Sequence, residues 1–181
     1  LPTDRDTLSQ DWSTWDGFIK LGQQYESSPT KPKGSSFIDN PASIFSAAVY
    51  QGKEAYDTPD GKPDYKNSDG VQTAWKYASQ AAQDGITAGV AQWGDDWNKA
   101  FANGTFATIS CPAWMLGYIT GQAGDAYKGK WDVASLPGGA ANWGGSWLGV
   151  PTASKHQAAA VALAEWLTAP AQQVKMFTSQ A

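Results

Sequence analysis

Apolar residues recur every three to four positions in some stretches of this chain and every second position in others. Trp15 to Gln24 carries Trp15, Phe18, Ile19 and Leu21 at helical spacing, with Thr14 placed to cap a short amphipathic helix. Residues Ser27 to Ser36 are rich in Ser, Pro and Lys and read as a loop, and Phe37-Ile38 as a very short strand. Asn40-Pro41 pairs an N-cap residue with a proline suited to a first helical position, so a helix runs on to about Tyr50. Asp60-Gly61 between polar flanks, within Glu54 to Lys66, predicts a hairpin. Ser68 caps a helix in which Val71, Trp75, Ala78 and Ala82 share a stripe and which Gly85 ends.

The second half continues the alternation. A helix spans about Asp95 to Asn103, with Trp97, Ala100 and Phe101 inward and Gly104 as its stop. Thr105 to Cys111 alternates and is β-branched, a strand, and Pro112 to Thr120 is a helical turn. Trp131 to Leu136 and Ser146 to Val150 read as two further strands, joined through the flexible Pro137-Gly138-Gly139-Ala140-Ala141. Ser154 caps a helix to Leu167, and Thr168 with Pro170 opens a last one to about Ser179. Helices alternating with short strands point to an α/β fold.

Composition narrows the function. The 181 residues are 41% hydrophobic and 17% charged, which excludes wholesale disorder. A net charge of −4 offers no basic footprint for a nucleic acid. One cysteine, Cys111, excludes an internal disulfide and a multi-cysteine zinc site, and one histidine, His156, works against imidazole-based metal sites and triads. No apolar run approaches the ~20 residues of a membrane span. The outlier is tryptophan, ten in all, which is more ring than a core of this size needs. The chain opens on Leu1-Pro2 and stops after a helix, so it reads as an internal segment of a longer protein, with any leader or anchor out of view.

Few residues offer catalysis. Asp95-Asp96 is the adjacent acidic pair, but two acids in a first helical turn complement the helix dipole. Ser154 and His156 lack a nucleophile elbow, and Cys111 lacks a second histidine to activate it. The glycine-rich Asn142–Trp147 (NWGGSW) has neither the lysine nor the spacing of a phosphate loop. Its glycines let backbone approach a ligand while its tryptophans supply a face. Trp12, Trp15, Trp75, Trp97 and Trp166 fall in or beside helical patterns and are expected in the core, and Trp131 is expected to be structural. Trp93, Trp114, Trp143 and Trp147 lie in loops or at element ends, where binding residues concentrate.

The order of these pieces, above all FANGTFATISCPAW (Phe101–Trp114) and GGSWLGVP…AAAVALAEWLTAP (Gly144–Pro170), resembles the extracellular solute-binding proteins of carbohydrate ABC importers, the maltose-binding-protein-like group. The resemblance covers nearly the whole chain and about half of a family member. It implies a periplasmic-binding-protein-like α/β lobe, mostly helical with a small mixed sheet, lacking most of the first lobe. Residues 1–146 would form the second ligand-binding lobe; 147–181 would be a crossover strand and two helices returning toward the missing lobe. The implied function is non-enzymatic capture of a sugar or oligosaccharide in an inter-lobe cleft, without cofactor, metal or catalytic residue. The implied partners are the carbohydrate and the permease subunits, with no nucleic acid. The implied location is the extracellular membrane face, by a lipid anchor outside this segment.

The resemblance places Trp114 under the sugar and turns Trp143, Ser146 and Trp147 toward the cleft, with Asn40 and Ser43 from the Asn-Pro helix start. Trp93 and Asp95 match less closely. Stacking suits the apolar C–H face of a pyranose, and Asn, Asp and Ser suit its hydroxyl belt. The alternative is a carbohydrate-binding module or accessory domain of a sugar-active enzyme. An enzyme would need two carboxylates roughly 5–10 Å apart facing the sugar, and the sequence assembles no such pair. The apolar residues of 151–181 are expected to need a cover, by self-association through exchange of that segment.

Overall fold

The computed structural model describes residues 1–127 and 129–180, and the chain divides into two units, Leu1–Trp143 and Gly144–Ala181. The first unit begins with α1 (Arg5–Asp11), a helix the hydrophobic pattern does not signal, started by Asp4, whose carboxylate accepts the Thr7 N–H. Thr14 caps α2 (Trp15–Ser27) by accepting the Gly17 N–H at 3.1 Å. β1 (Ser36–Ile38) follows, then α3 (Pro41–Val49) with the Asn40 side chain accepting the Ala42 and Ser43 N–H groups. Ser68 caps α4 (Asp69–Gln83), and α5 (Asp95–Asn103) ends on Gly104 in the left-handed region. β2 (Phe106–Thr108), α6 (Met115–Ala123) and a 3-10 turn (Asp125–Tyr127) complete its regular elements.

β1 and β2 pair in parallel, Ser36 opposite Phe106 and Ile38 opposite Thr108. On the other side of β1, Ile38 bridges Thr87, again in parallel. The Ile38 N–H donates to the Ile86 carbonyl at 3.0 Å, and the Ala88 N–H donates to the Ile38 carbonyl at 2.8 Å. The expected α/β lobe with few short strands is therefore present, but its sheet is parallel rather than mixed. Each segment follows a helix, the kind of crossover connection that parallel pairing requires. Phe37 and Ile38 sit at the centre, fully buried.

Two apolar clusters flank this sheet. One gathers Trp12, Trp15, Phe18, Ile19 and Phe37 with the inner faces of α3 and α4. The other gathers Trp97, Phe101, Phe106, Met115 and Ile119 between α5 and α6. α4 buries a stripe of small residues, Gly70, Ala74, Ala78 and Ala81, instead of the stripe through Val71 and Trp75. Trp75 is consequently exposed and not a core residue. The reason is close approach. A Cβ on Gly70 would lie 2.5 Å from the Glu54 carbonyl oxygen and closer still to that of Val49, so α3 and α4 touch through backbone. Bulky side chains are displaced to the outer face of such a crossing.

Other expectations shift for physical reasons. The hairpin is a tight loop: Asp57 bridges Pro63, and the Thr58 N–H donates to the Lys62 carbonyl at 2.9 Å. Residues 131–136 form no strand, and their backbone is met by side chains instead of a ladder. The Trp12 indole N–H donates to the Ser135 carbonyl at 2.9 Å, the Ser135 N–H to the Ser9 hydroxyl at 3.1 Å, and Arg5 pairs with Asp132. Residues 146–150 also form no strand, having no ladder partner among the described residues. Trp12, Trp15 and Trp97 are buried as expected, Trp131 packs half-buried on the second cluster, and Trp166 is exposed.

The connection at 137–139 is pinned to the body of the first unit. Gln51 accepts the Trp15 indole N–H at 2.7 Å and donates its amide to the carbonyls of Pro137 at 2.7 Å and Gly139 at 2.6 Å. The second unit is a helical pair, α7 (Gln157–Thr168) and α8 (Pro170–Gln180). Ser154 accepts the His156 N–H, so the start of α7 falls two residues later than expected. Val161, Leu163, Trp166, Val174, Met176 and Phe177 are all exposed.

Candidate functional site

Three parallel segments end at the same edge of the first unit. Beyond β1 come Asp39 and Asn40, beyond the Thr87 bridge come Val90 to Trp93, and beyond β2 come Ser110 to Trp114. In open parallel sheets ligands bind outside the carboxyl ends of the strands. Here that edge carries two large exposed rings. Trp93 and Trp114 are 56% and 60% exposed, and their planes lie within 14° of parallel at a centroid distance of 6.0 Å. Beneath them the Trp97 ring supports Trp93 at 5.0 Å, and Tyr118 meets it edge-on at 5.6 Å. Such pairs hold by more than their buried area, since ring quadrupoles favour offset and edge contacts.

Trp93 has φ 67°, the one positive-φ residue other than glycine among those described. For a bulky side chain this costs about 1–3 kcal/mol, and it persists only where neighbours over-determine it. The neighbours are visible. Gln92, immediately before it, donates its amide to Asp39 Oδ2 at 3.2 Å and to Ser43 Oγ at 2.8 Å. Gly94, immediately after it, donates its N–H to the Ala91 carbonyl.

Asp39 is the floor of this edge and is fully buried. Its carboxylate accepts the Ser43 hydroxyl at 2.5 Å, the Trp97 indole N–H at 2.9 Å and the Asn40 amide at 3.0 Å, besides Gln92. Burial pushes its pKa above the ordinary carboxylate value, and the hydrogen bonds from Ser43 and Trp97 pull it back in part. Cys111 lies close by; burial, with the Asp39 charge adding to it, raises its thiol to about 11. At neutral pH it is a protonated, inert thiol rather than a nucleophile.

The expected site residues divide by position. Trp114 and Trp93 come together as the ring pair. Asp95 is exposed in the first turn of α5, at one end of a groove of about 350 Å³ that Asn98, Lys99 and Gln122 also line. Asn40 and Ser43 stand at the same edge but below the surface, 7% and 0% exposed. Their side-chain polar atoms bond inward: Asn40 on α3, Asp39 and the Val90 carbonyl, Ser43 on Asp39 and Gln92. They hold the edge from below, Asn40 as the cap of α3 and Ser43 as a link between Asp39 and Gln92. Trp143 is half-buried against the first cluster. Ser146 and Trp147 belong to the second unit, where Trp147 is 95% exposed. Asp39, Gln92 and Tyr118 also stand at this edge and are not among the residues the sequence places there. The available signal for Asp39 was a carboxylate set between a buried strand and an N-cap.

No group of three His, Cys, Asp or Glu side chains that could hold a metal lies among the described residues. No helix among them is long and apolar enough to cross a membrane.

The model of the family described as bacterial extracellular solute-binding protein matches residues 2–181, and the chain belongs to that family. A crystal structure of an extracellular solute-binding protein family 1 is similar at TM-score 0.85 and 38% identity over 98% of this chain. The match spans 45% of that protein's length. No curated protein matches the sequence.

Proposed function

We propose that this chain supplies one face of a binding site for a sugar or oligosaccharide, captured without chemistry for delivery to an ABC permease at the extracellular membrane face, where a lipid anchor would hold the protein. In this reading residues 1–146 are the second lobe of a two-lobed protein and residues 147–181 the segment that returns to the first. The observation that carries it is the parallel, exposed Trp93–Trp114 pair at the carboxyl ends of the parallel segments. A pyranose has an apolar C–H face to lay on such rings, while Asp95 at the rim offers a carboxylate to its hydroxyls. Family membership supports solute binding, and the rings support a sugar as the solute.

Titration of mono- and oligosaccharides into the protein, followed by tryptophan fluorescence and calorimetry, tests the reading. With the 181-residue chain alone, weak affinity of about 1 mM is expected, since one lobe gives part of the contacts and none of the closure. In the longer protein Trp114→Ala is expected to cost about 2–4 kcal/mol of binding, the range of aromatic hot spots. No response to any sugar, or an identical response in Trp114→Ala, overturns the reading. Micromolar affinity in the chain alone supports a self-contained carbohydrate-binding module instead.

A further inference from the structure

We propose that Asp39 is the positioning residue of the ring pair: through Gln92 and Trp97 its buried carboxylate holds Trp93 parallel to Trp114. The proposal deepens the reading of this edge as a ligand surface and rests on it for its purpose, though its geometry stands without a ligand.

Four donors converge on this one carboxylate, and two of them control Trp93 from different sides. Gln92 is bonded to Trp93 through the chain, so its two amide hydrogen bonds, to Asp39 and Ser43, fix the backbone just before the left-handed residue. Trp97 lies under the Trp93 ring at 5.0 Å, and its indole N–H on Asp39 fixes the surface on which that ring rests. Backbone and ring are thus set by the same oxygen, Asp39 Oδ2. The remaining donors, Asn40 and Ser43, anchor the carboxylate to the start of α3. Asp39 is 0% exposed, so it acts on a ligand only through the rings. An unsupported Trp93 would relax to negative φ, swinging its ring off Trp114.

The test reads the rings directly. Two indoles at this distance couple excitonically, and the part of the far-ultraviolet circular dichroism lost in Trp114→Phe reports the mutual geometry of their in-plane transition moments. Asp39→Asn replaces one accepting oxygen with an amide, and Gln92→Leu cuts the backbone link while leaving Asp39 in place. Each is expected to reduce that component at least twofold in protein that still melts cooperatively. Gly70→Ala, which strains the same unit at the α3–α4 crossing, is expected to leave it intact. Should Asp39→Asn fail to fold, Gln92→Leu decides the matter. Persistence of the component in the folded variants overturns the proposal, as does its equal loss in Gly70→Ala. Where a sugar gives a fluorescence response, Asp39→Asn and Gln92→Leu are expected to weaken it about tenfold. A coupled ring pair that no sugar perturbs defeats the sugar reading and leaves Asp39 as the positioning residue.

Discussion

Gly70→Ala measures how tightly α3 and α4 are built against each other. Gly70 lies in the first turn of α4, and an added Cβ would meet two carbonyl oxygens, Glu54 at 2.5 Å and Val49 nearer. Both are backbone atoms, so neither swings aside as a long side chain would. Gly52 crowds the same point, for its own Cβ would meet the Gly70 Cα at 2.5 Å. Forcing one methyl into such packing costs about 1–3 kcal/mol. Replacing glycine by alanine in a helix returns up to about 1 kcal/mol, less at a terminus. The balance is a loss of about 2 kcal/mol, which is about 4–8 °C in melting temperature for a chain of this size. Urea unfolding followed by circular dichroism reads it as a lower midpoint at unchanged slope. Gly121→Ala is the matched control, because α6 has open space around that position, and a gain of about 0.5–1 kcal/mol is expected. Wild-type stability or better in Gly70→Ala refutes the backbone-contact account of the crossing.

Three further outcomes follow from single groups. Cys111, with its thiol raised to about 11, is expected to resist iodoacetamide at pH 8 until urea unfolds the protein; rapid alkylation of the native chain by mass spectrometry contradicts that burial. The Asp69 carboxylate is held below its ordinary 3.8 by the Glu54 N–H first and by those of Lys53 and Gly70. Its stabilisation is therefore complete above 3.8 and lost as pH falls through the lowered value, so the gap in urea midpoint between wild type and Asp69→Asn should close below pH 3.8. Gln51→Ala leaves the buried Trp15 indole N–H without its acceptor, at about 1–3 kcal/mol, and frees the backbone at 137–139; faster hydrogen exchange there is expected, and unchanged uptake rejects the clasp.

The local chemistry of the fold was legible because it is carried by neighbours in sequence. Thr14, Asn40 and Ser68 cap the helices expected of them, and Gly104 stops α5. What failed was decided across the chain. The face of α4 depends on how close α3 comes, so Trp75 points outward although its spacing fits a core stripe. Residues 131–136 have a strand's composition, but a strand exists only with a partner, and side chains of α1 and the Trp12 indole meet this one instead. Trp114 and Trp93 are exposed at element ends, as their sequence positions predict, but their mutual stacking is not legible, because it requires a tryptophan in a backbone state that sequence disfavours. Asn40 and Ser43 stand at the strand-end edge, yet their amide and hydroxyl groups turn inward onto Asp39, which lies buried beside them.

The separation of an inward polar network from outward rings has a consequence for how this edge can be altered. Rings at 93 and 114 are more than half exposed, so the outer part of each can be changed one at a time, while the inner face of Trp93 stays tied to Trp97. Asp39, Asn40, Ser43, Gln92 and Trp97 share a closed set of donors and acceptors, and replacing one strands the others. On the function proposed above, ligand preference is free to drift, or to be engineered, in the upper layer by single steps, while the lower layer changes only in concert. A library confined to 93 and 114 should return many folded variants; one confined to 39, 40, 43 and 92 should return mostly the parent.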